Sequence, residues 1–471
     1  ELGLILNPSK CEWSWLDPSC KALCPIKQEG VPEKDQVKLV PHDKIEMLGV
    51  PLGSKAFTSD YVKGDLLTRL KPVLESLEAF EDTQAAMYLL RVSFSIVRAT
   101  HYMRTTPLDQ WREHAVTFDS NLKKTVENIL AVKMTEPMRK QASLTPKLGG
   151  LGFRRTVDHA NFAFSASWHE ALVTSKEKWD RPDGVPEEYA SQSAASFQFD
   201  EAVHAEMVME MEKANKPREA QRLRRLAQPH AGGFVTALPS RHDGFDTIIK
   251  PRTFRTAIYY RMGIPLLTQE TSCPLCTQTI NIYGDHATCC SKSGDLIVRH
   301  NALRNLVELI ASAGFLDPEL EKKGILGDAP GRRPGDVTIP RWEENRDLAL
   351  DIAVTSPLNS TNIRSKSPCE EYAKTRKHAK YDKDFKDSET HVFGTIVWET
   401  LGAVNSEGES YLRQIMRFAS KRQSQEHSSY CGRMWARLSC CLQRSVAKQL
   451  LLRTDGQNYN AKPKNASDSH S

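Results

Sequence analysis

"GRRPGDVTIPRWEENRDLALDIAV", residues 331–354, sets one acid in the middle of an apolar run. Asp351 follows Leu348, Ala349 and Leu350 and precedes Ile352, Ala353 and Val354. A strand of that composition reads as interior, and an interior strand excludes a carboxylate unless something compensates its charge. Upstream, Asp336 opens a second extended segment. Fourteen residues separate the two acids, including the turn-like "PRWEENRD". That spacing allows a hairpin with both carboxylates at neighbouring strand positions. Two adjacent carboxylates repel, and a hard, oxygen-seeking cation such as magnesium or manganese resolves the repulsion. Beside a phosphodiester, such an ion activates water and neutralises developing charge.

The segment that follows supplies a partner for this chemistry. In "AKTRKHAKYDKDFK" (373–386), Lys374, Lys377 and Tyr381 recur at steps of three and four, on one helix face, with Lys380 on the flank. A lysine there is a candidate general base or charge partner near a scissile phosphate. Glu399, closing the apolar strand "TIVWE", is a candidate third acid at the same sheet edge. A lone strand acid would read as an edge residue reaching water. The pair, the loop between and the basic helix after it read as a metal-dependent nuclease.

A second metal pattern precedes the first. In "CPLCTQTINIYGDHATCC" (273–290), Cys273 and Cys276 form a CxxC knuckle, followed by His286 and then Cys290. Zinc takes four soft or borderline ligands in a tetrahedron, and CxxC aims two thiolates at one ion. Four protein ligands close the site, which marks it as structural. Cys289 is the alternative fourth ligand; Cys290 is preferred because one more residue lets the chain turn back after His286.

The 471 residues are 39% hydrophobic and 26% charged, as expected of a soluble globular chain of two to four domains. No apolar run is long enough to span a bilayer and no signal-peptide pattern opens the chain. The eleven cysteines, an odd number without a secretory signal, predict a reducing compartment and no disulfide framework. The net charge is only +5, but basic residues cluster at 213–226, at Arg332 and Arg333, through 373–386 and along the C-terminal helix. Any one cluster reads as a solvated helix face; several together point to a polyanion. Strand-and-turn patterns fill residues 1–57 and helical periodicity runs from about Asp60 to Trp179. Residues 181–196 look like a linker and the polar 455–471 like a disordered tail. His101, His159 and His169 read as packing or surface residues, and Trp13, Trp15 and Trp111 as core or partly buried aromatics rather than base-stacking platforms.

The order of these parts resembles the C-terminal end of non-LTR retrotransposon proteins carrying a restriction-like endonuclease of the PD-(D/E)XK superfamily. The resemblance rests on the CCHC knuckle, a helix, the Arg-Pro-Gly-Asp element, the strand aspartate and the lysine-rich helix ending in Lys380-Tyr381, about 271–420. It implies that Asp336 and Asp351 hold the catalytic metal and that the family's lysine is Lys377 or Lys380, with Tyr381 beside it. Two features depart from the pattern. Gly335 separates Pro334 from Asp336, and Ala353 stands where the wider superfamily keeps its lysine. The N-terminal half is similar in order to a reverse transcriptase after its catalytic box. "LGLILNPSKCEW" puts Lys10 at the position facing nucleotide phosphates, "KIEMLGVPLGS" resembles the primer-grip hairpin, and the helices down to "LTPKLGGLGFRR" resemble the thumb.

The implied fold is multidomain α+β: a palm remnant at 1–57, a thumb-like helical region at 58–185, a helical linker at 186–270, the knuckle at 271–291, an α/β restriction-endonuclease-like domain at 292–420 and a basic C-terminal helix and tail at 421–471. The implied activity is metal-dependent nicking of a DNA target for primed reverse transcription. Zinc would be structural and magnesium or manganese catalytic. The partners would be target DNA, gripped in part through Arg332, Arg333 and Lys374, and retroelement RNA. The site of action would be the nucleus, after synthesis in the cytoplasm. Polymerase chemistry needs paired palm aspartates, and no Asp-Asp dipeptide occurs in the chain. The chain opens on Glu1, with its first methionine at Met47, so it is expected to be a piece of a longer frame that cannot polymerise alone. The alternative is a degenerate remnant that binds nucleic acid without catalysis.

Overall fold

A computed structural model of the protein describes residues 7–15, 29–175, 191–241, 246–292, 294–326 and 331–454. The expected strand at "LGLIL", the linker up to residue 190 and the tail at 455–471 lie outside the described residues. The chain is mixed α+β, mostly helical with small sheets, and divides into two compact units. Among the described residues no helix is long and apolar enough to cross a membrane.

Unit 1 comprises 1–76, 93–124 and 155–196. It contains the hairpin of β1 (Lys44–Met47) and β2 (Val50–Gly53). Leu48 and Gly49 between them both have positive φ, 52° and 76°. This is the turn handedness that matches strand twist. Helix α1 (Lys55–Lys63) starts where the Ser54 hydroxyl accepts the Phe57 N–H at 3.3 Å, a side-chain cap. Helices α2 (Ile96–Thr105) and α3 (Thr156–Ser175) pack together. Trp111, Tyr102 and Phe118 fill the core, and buried Asp119 caps α3 by accepting the Thr156 and Val157 N–H groups at 2.8 and 3.2 Å.

Unit 2 comprises 77–92, 125–154 and 197–471. Its polypeptide passes through α4 (Pro217–Leu226) and a small two-stranded ribbon, β3 (Thr271–Ser272) with β4 (Thr279–Ile280). Then come α5 (Asp295–Ala313) and a four-stranded sheet. The strands are β5 (Glu319–Leu320), β6 (Val337–Glu343), β7 (Arg346–Thr355) and β8 (His391–Glu399), in spatial order β8-β7-β6-β5. Strands β6 and β7 form the expected hairpin, with Val337 opposite Leu350. Its turn residues Glu344 and Asn345 again take positive φ, 48° and 69°. The register slips between Ile339 and Glu343, where Pro340 cannot donate to the ladder.

Strand β8 runs parallel to β7, which demands a long crossover. Three consecutive helical turns, Pro368–Tyr372, Ala373–His378 and Ala379–Phe385, supply it as α6. Helices α7 (Ser406–Arg422) and α8 (His427–Thr454) close the unit. Leu438, Leu442, Val446 and Leu450 repeat at four-residue steps along the buried face of α8, which packs against α5 and α7. Gly394 in β8 lies under the Tyr411 ring of α7, and a Cβ there would overlap that ring. The expected junction at 57 falls inside unit 1 and those at 270, 291 and 420 inside unit 2; the one at 185 lies outside the described residues.

Candidate functional site

Asp336 stands one residue before β6. Its N–H donates to the Leu350 carbonyl at 2.7 Å, so Asp336 and Val337 both lie across from Leu350, and the Asp336 carboxylate accepts the N–H of Ile352, the residue after Asp351. That sets it beside the Asp351 carboxylate, and the charge of Asp336 pushes the Asp351 carboxyl up.

Each acid is individually held. One oxygen of Asp336 accepts the Ile352 N–H at 2.6 Å and the other accepts from His300 Nε2 at 3.1 Å. Burial works against its charge, but His300 and the Ile352 N–H outweigh burial and hold its carboxyl below the usual range. Asp351 is only 6% exposed, and one of its oxygens accepts from Lys377 Nζ at 2.7 Å. Burial pushes the Asp351 carboxyl up to about 6; Lys377 pulls against that and Asp336 adds to it. Lys377 is itself raised by Asp351, against its own burial.

The helix delivers Lys377 through a locally widened turn, Ala373–His378, a distortion that recurs at functional sites. Lys380, the other candidate, turns away. Its Nζ reaches the Tyr381 hydroxyl at 2.7 Å and lies 4.4 Å from that ring's centre. Tyr381 packs on Phe393 and Phe385 in a small core. Lys374 is exposed. Arg332 pairs with Asp384 at 3.0 Å and sits 5.5 Å over the Tyr381 ring, and Arg333 pairs with Glu321. Lys10 is exposed at the end of a tight turn, Pro8–Lys10, in unit 1.

Glu399 is set apart from the pair. Thr395, not Glu399, lies opposite Asp351 on β8, so Glu399 is four residues, about 13 Å, further along the strand. It is 0% exposed, with both oxygens gripped by the Arg225 guanidinium of α4 at 2.8 and 2.9 Å. That is the position of a buried structural ion pair. Asp336 and Asp351 offer carboxylate oxygens, the donor type that hard cations such as magnesium take. Such ions are held by one or two carboxylates and keep the rest of their sphere for water and substrate phosphate.

The knuckle gathers Cys273, Cys276, His286 and Cys290, whose ligand atoms all lie within 4.8 Å of one another, a cluster that could hold a metal such as zinc. Cys290 Sγ is 3.9 Å from Cys273 Sγ and 3.7 Å from Cys276 Sγ. Tetrahedral zinc with sulfur at about 2.3 Å would set sulfurs roughly 3.8 Å apart. Burial keeps His286 below its usual value, the neutral form a metal needs. Cys289 is exposed and its thiol is directed to the His286 carbonyl, so the fourth position belongs to Cys290.

Three further residues matter here. His300 lies on α5, and only the packing of α5 on β6 and β7 brings it to Asp336. Glu407 takes a hydrogen bond from Thr395, the neighbour of Asp351, at 2.5 Å and pairs with His378 at 2.9 Å. Arg225 neutralises Glu399. None carries a spacing that marks it in the sequence. No protein-family model matches the chain, and no curated protein is detectably similar to it.

Proposed function

We propose that the protein is a divalent-metal-dependent DNA endonuclease of retroelement origin, acting as part of a longer reverse transcriptase and nicking a target strand to prime synthesis. The observation that carries the reading is the neighbouring pair Asp336 and Asp351 on the β6–β7 hairpin, with Lys377 2.7 Å from Asp351. When bound, magnesium or manganese would supply Lewis-acid polarisation of the phosphate and a water of lowered pKa. Asp336 and Asp351 are the residues that would hold it. The Ile352 N–H and His300 fix the orientation of Asp336, which keeps its oxygens from rotating away. Lys377 balances Asp351 and puts a positive charge where negative charge develops on the phosphate. The CCHC element would hold zinc and order the chain that precedes α5.

The test is conversion of supercoiled plasmid to open circles by the purified chain with magnesium. Wild type is expected to nick, while Asp336→Asn and Asp351→Asn are not. Nicking that survives either substitution removes the assignment. Salt-dependent DNA binding without nicking by wild type would make the chain a non-catalytic remnant.

A further inference from the structure

Away from the acid pair, unit 2 carries a face of exposed aromatics set among unpaired cations. Helix α7 exposes Arg417, Phe418, Lys421 and Arg422. Among the described residues, none of these three cations has a carboxylate partner. Phe418 is 49% exposed and meets Trp342, at the β6–β7 hairpin, edge-on at 6.1 Å. Phe315, just past the end of α5, is 66% exposed, with the Arg422 guanidinium 4.4 Å from its ring centre. Its φ of 55° is unusual for a bulky residue.

Beside this face is a cavity of about 320 Å³, lined among others by Ala313, Gln423, Gln425, Tyr430, Arg433 and Arg437. Ala313 is two residues from Phe315, and Gln423 follows Arg422, so the cavity adjoins the aromatic face. Arg433 and Arg437 are one helical turn apart on α8, a like-charge spacing that costs stability. Arg437 Nε is buried with no hydrogen-bond partner, and its Nη1 reaches only the Met434 sulfur at 3.9 Å. Arg433 is steadied by Gln425. Glu426, the acid of the same loop, is engaged in capping the Ser428 and Ser429 N–H groups at 2.8 and 2.7 Å. Two guanidinium groups walling one cavity match an anion with planar oxygens such as a phosphodiester. Exposed rings flanked by cations match unpaired bases, which offer their faces for stacking; duplex bases do not.

We propose that this face binds single-stranded nucleic acid, one phosphodiester entering the cavity between Arg433 and Arg437 and bases stacking on Phe315 and Phe418. None of these residues contacts the acid pair, whose side chains meet His300, the Ile352 N–H and Lys377, so this is a second site that stands whether or not the acid pair cleaves.

The test is fluorescence anisotropy of the full chain, without added magnesium, against fluorescein-labelled dT20, rU20 and a 20-base-pair duplex. Wild type and Asp351→Asn are expected to bind a single strand equally and more tightly than duplex; the dT20 and rU20 arms identify which strand is preferred. Phe315→Ala should weaken single-strand binding about 5- to 150-fold with an unchanged salt slope. Arg433→Gln with Arg437→Gln should weaken it and flatten the salt slope by about 0.7, the loss of one neutralised phosphate. Arg433→Lys with Arg437→Lys should restore part of the slope, separating lost charge from misfolding. Single-strand binding within twofold of wild type in both the phenylalanine and glutamine variants would overturn the proposal. Failure of wild type to bind any oligonucleotide would overturn it too, leaving the face to a protein partner.

Discussion

Lys377 and His300 make different demands on the same pair of acids. Lys377 is a charge 2.7 Å from Asp351, and under the proposed nuclease reading removing it would take away a contact that strengthens as negative charge builds on phosphate. Lys377→Ala is therefore expected to lower the nicking rate by about 10²- to 10³-fold, with Lys377→Arg recovering part of it; equal rates for wild type and Lys377→Ala would remove Lys377 from the mechanism. His300 acts through Asp336, so His300→Ala should raise the magnesium concentration for half-maximal nicking more than it lowers the rate at saturating magnesium. Titrating the ion separates these two effects. The lysine spacing alone left Lys377 and Lys380 equivalent. Side-chain geometry distinguishes them, because Lys380 is turned onto its neighbour Tyr381.

Elements are tied together by the knuckle and by one histidine. The β3–β4 ribbon has two residues per strand, so an ion held by the proposed zinc cluster would supply much of its order. Removing zinc with a chelator should make residues 271–291 protease-sensitive and lower the melting temperature. Metal analysis should find one zinc per chain in wild type and in Cys289→Ser, and none in Cys290→Ser; zinc loss in Cys289→Ser would reverse the ligand assignment. His378 of α6 lies between Asp382 at 2.7 Å and Glu407 of α7 at 2.9 Å. Burial disfavours its charged form, but Glu407 and Asp382 outweigh burial and raise its pKa above the usual value. A raised histidine contributes stability that is fully present below its unfolded value near 6.5 and is lost as pH rises through the folded value. Melting temperature should thus fall with rising pH above about 6.5 more steeply in wild type than in His378→Gln. Parallel curves would show that the pairing has no energetic role.

Across the whole of unit 2, the Arg225–Glu399 pair fastens α4 to the end of β8. Arg225 is 4% exposed and Glu399 0%. Cutting one partner leaves a buried charge uncompensated, so Arg225→Ala should cost roughly 3–5 kcal/mol of stability by denaturant melt. Glu399→Gln should destabilise less and, at a temperature where it stays folded, nick at close to the wild-type rate. Abolished nicking in folded Glu399→Gln would return Glu399 to the catalytic set. Gly394→Ala should also destabilise, because the Tyr411 ring occupies the space its Cβ needs.

What could be read in advance was local. The Asp336–Asp351 hairpin follows from apolar run, turn and apolar run. The cysteine–histidine cluster follows from ligand spacing, and the Lys44–Gly53 hairpin from its turn residues. Each depends on neighbours a few residues away, and chain geometry over that range is dictated by residue type. Other features depended on long-range packing. His300 reaches Asp336 from 36 residues away and Arg225 reaches Glu399 from 174, while Phe315 and Arg422 meet across two helices. A carboxylate at a strand end looks the same in sequence whether it faces an ion or an arginine. Which of the two it meets is decided by helices packing on the sheet, and that packing is a property of the folded whole.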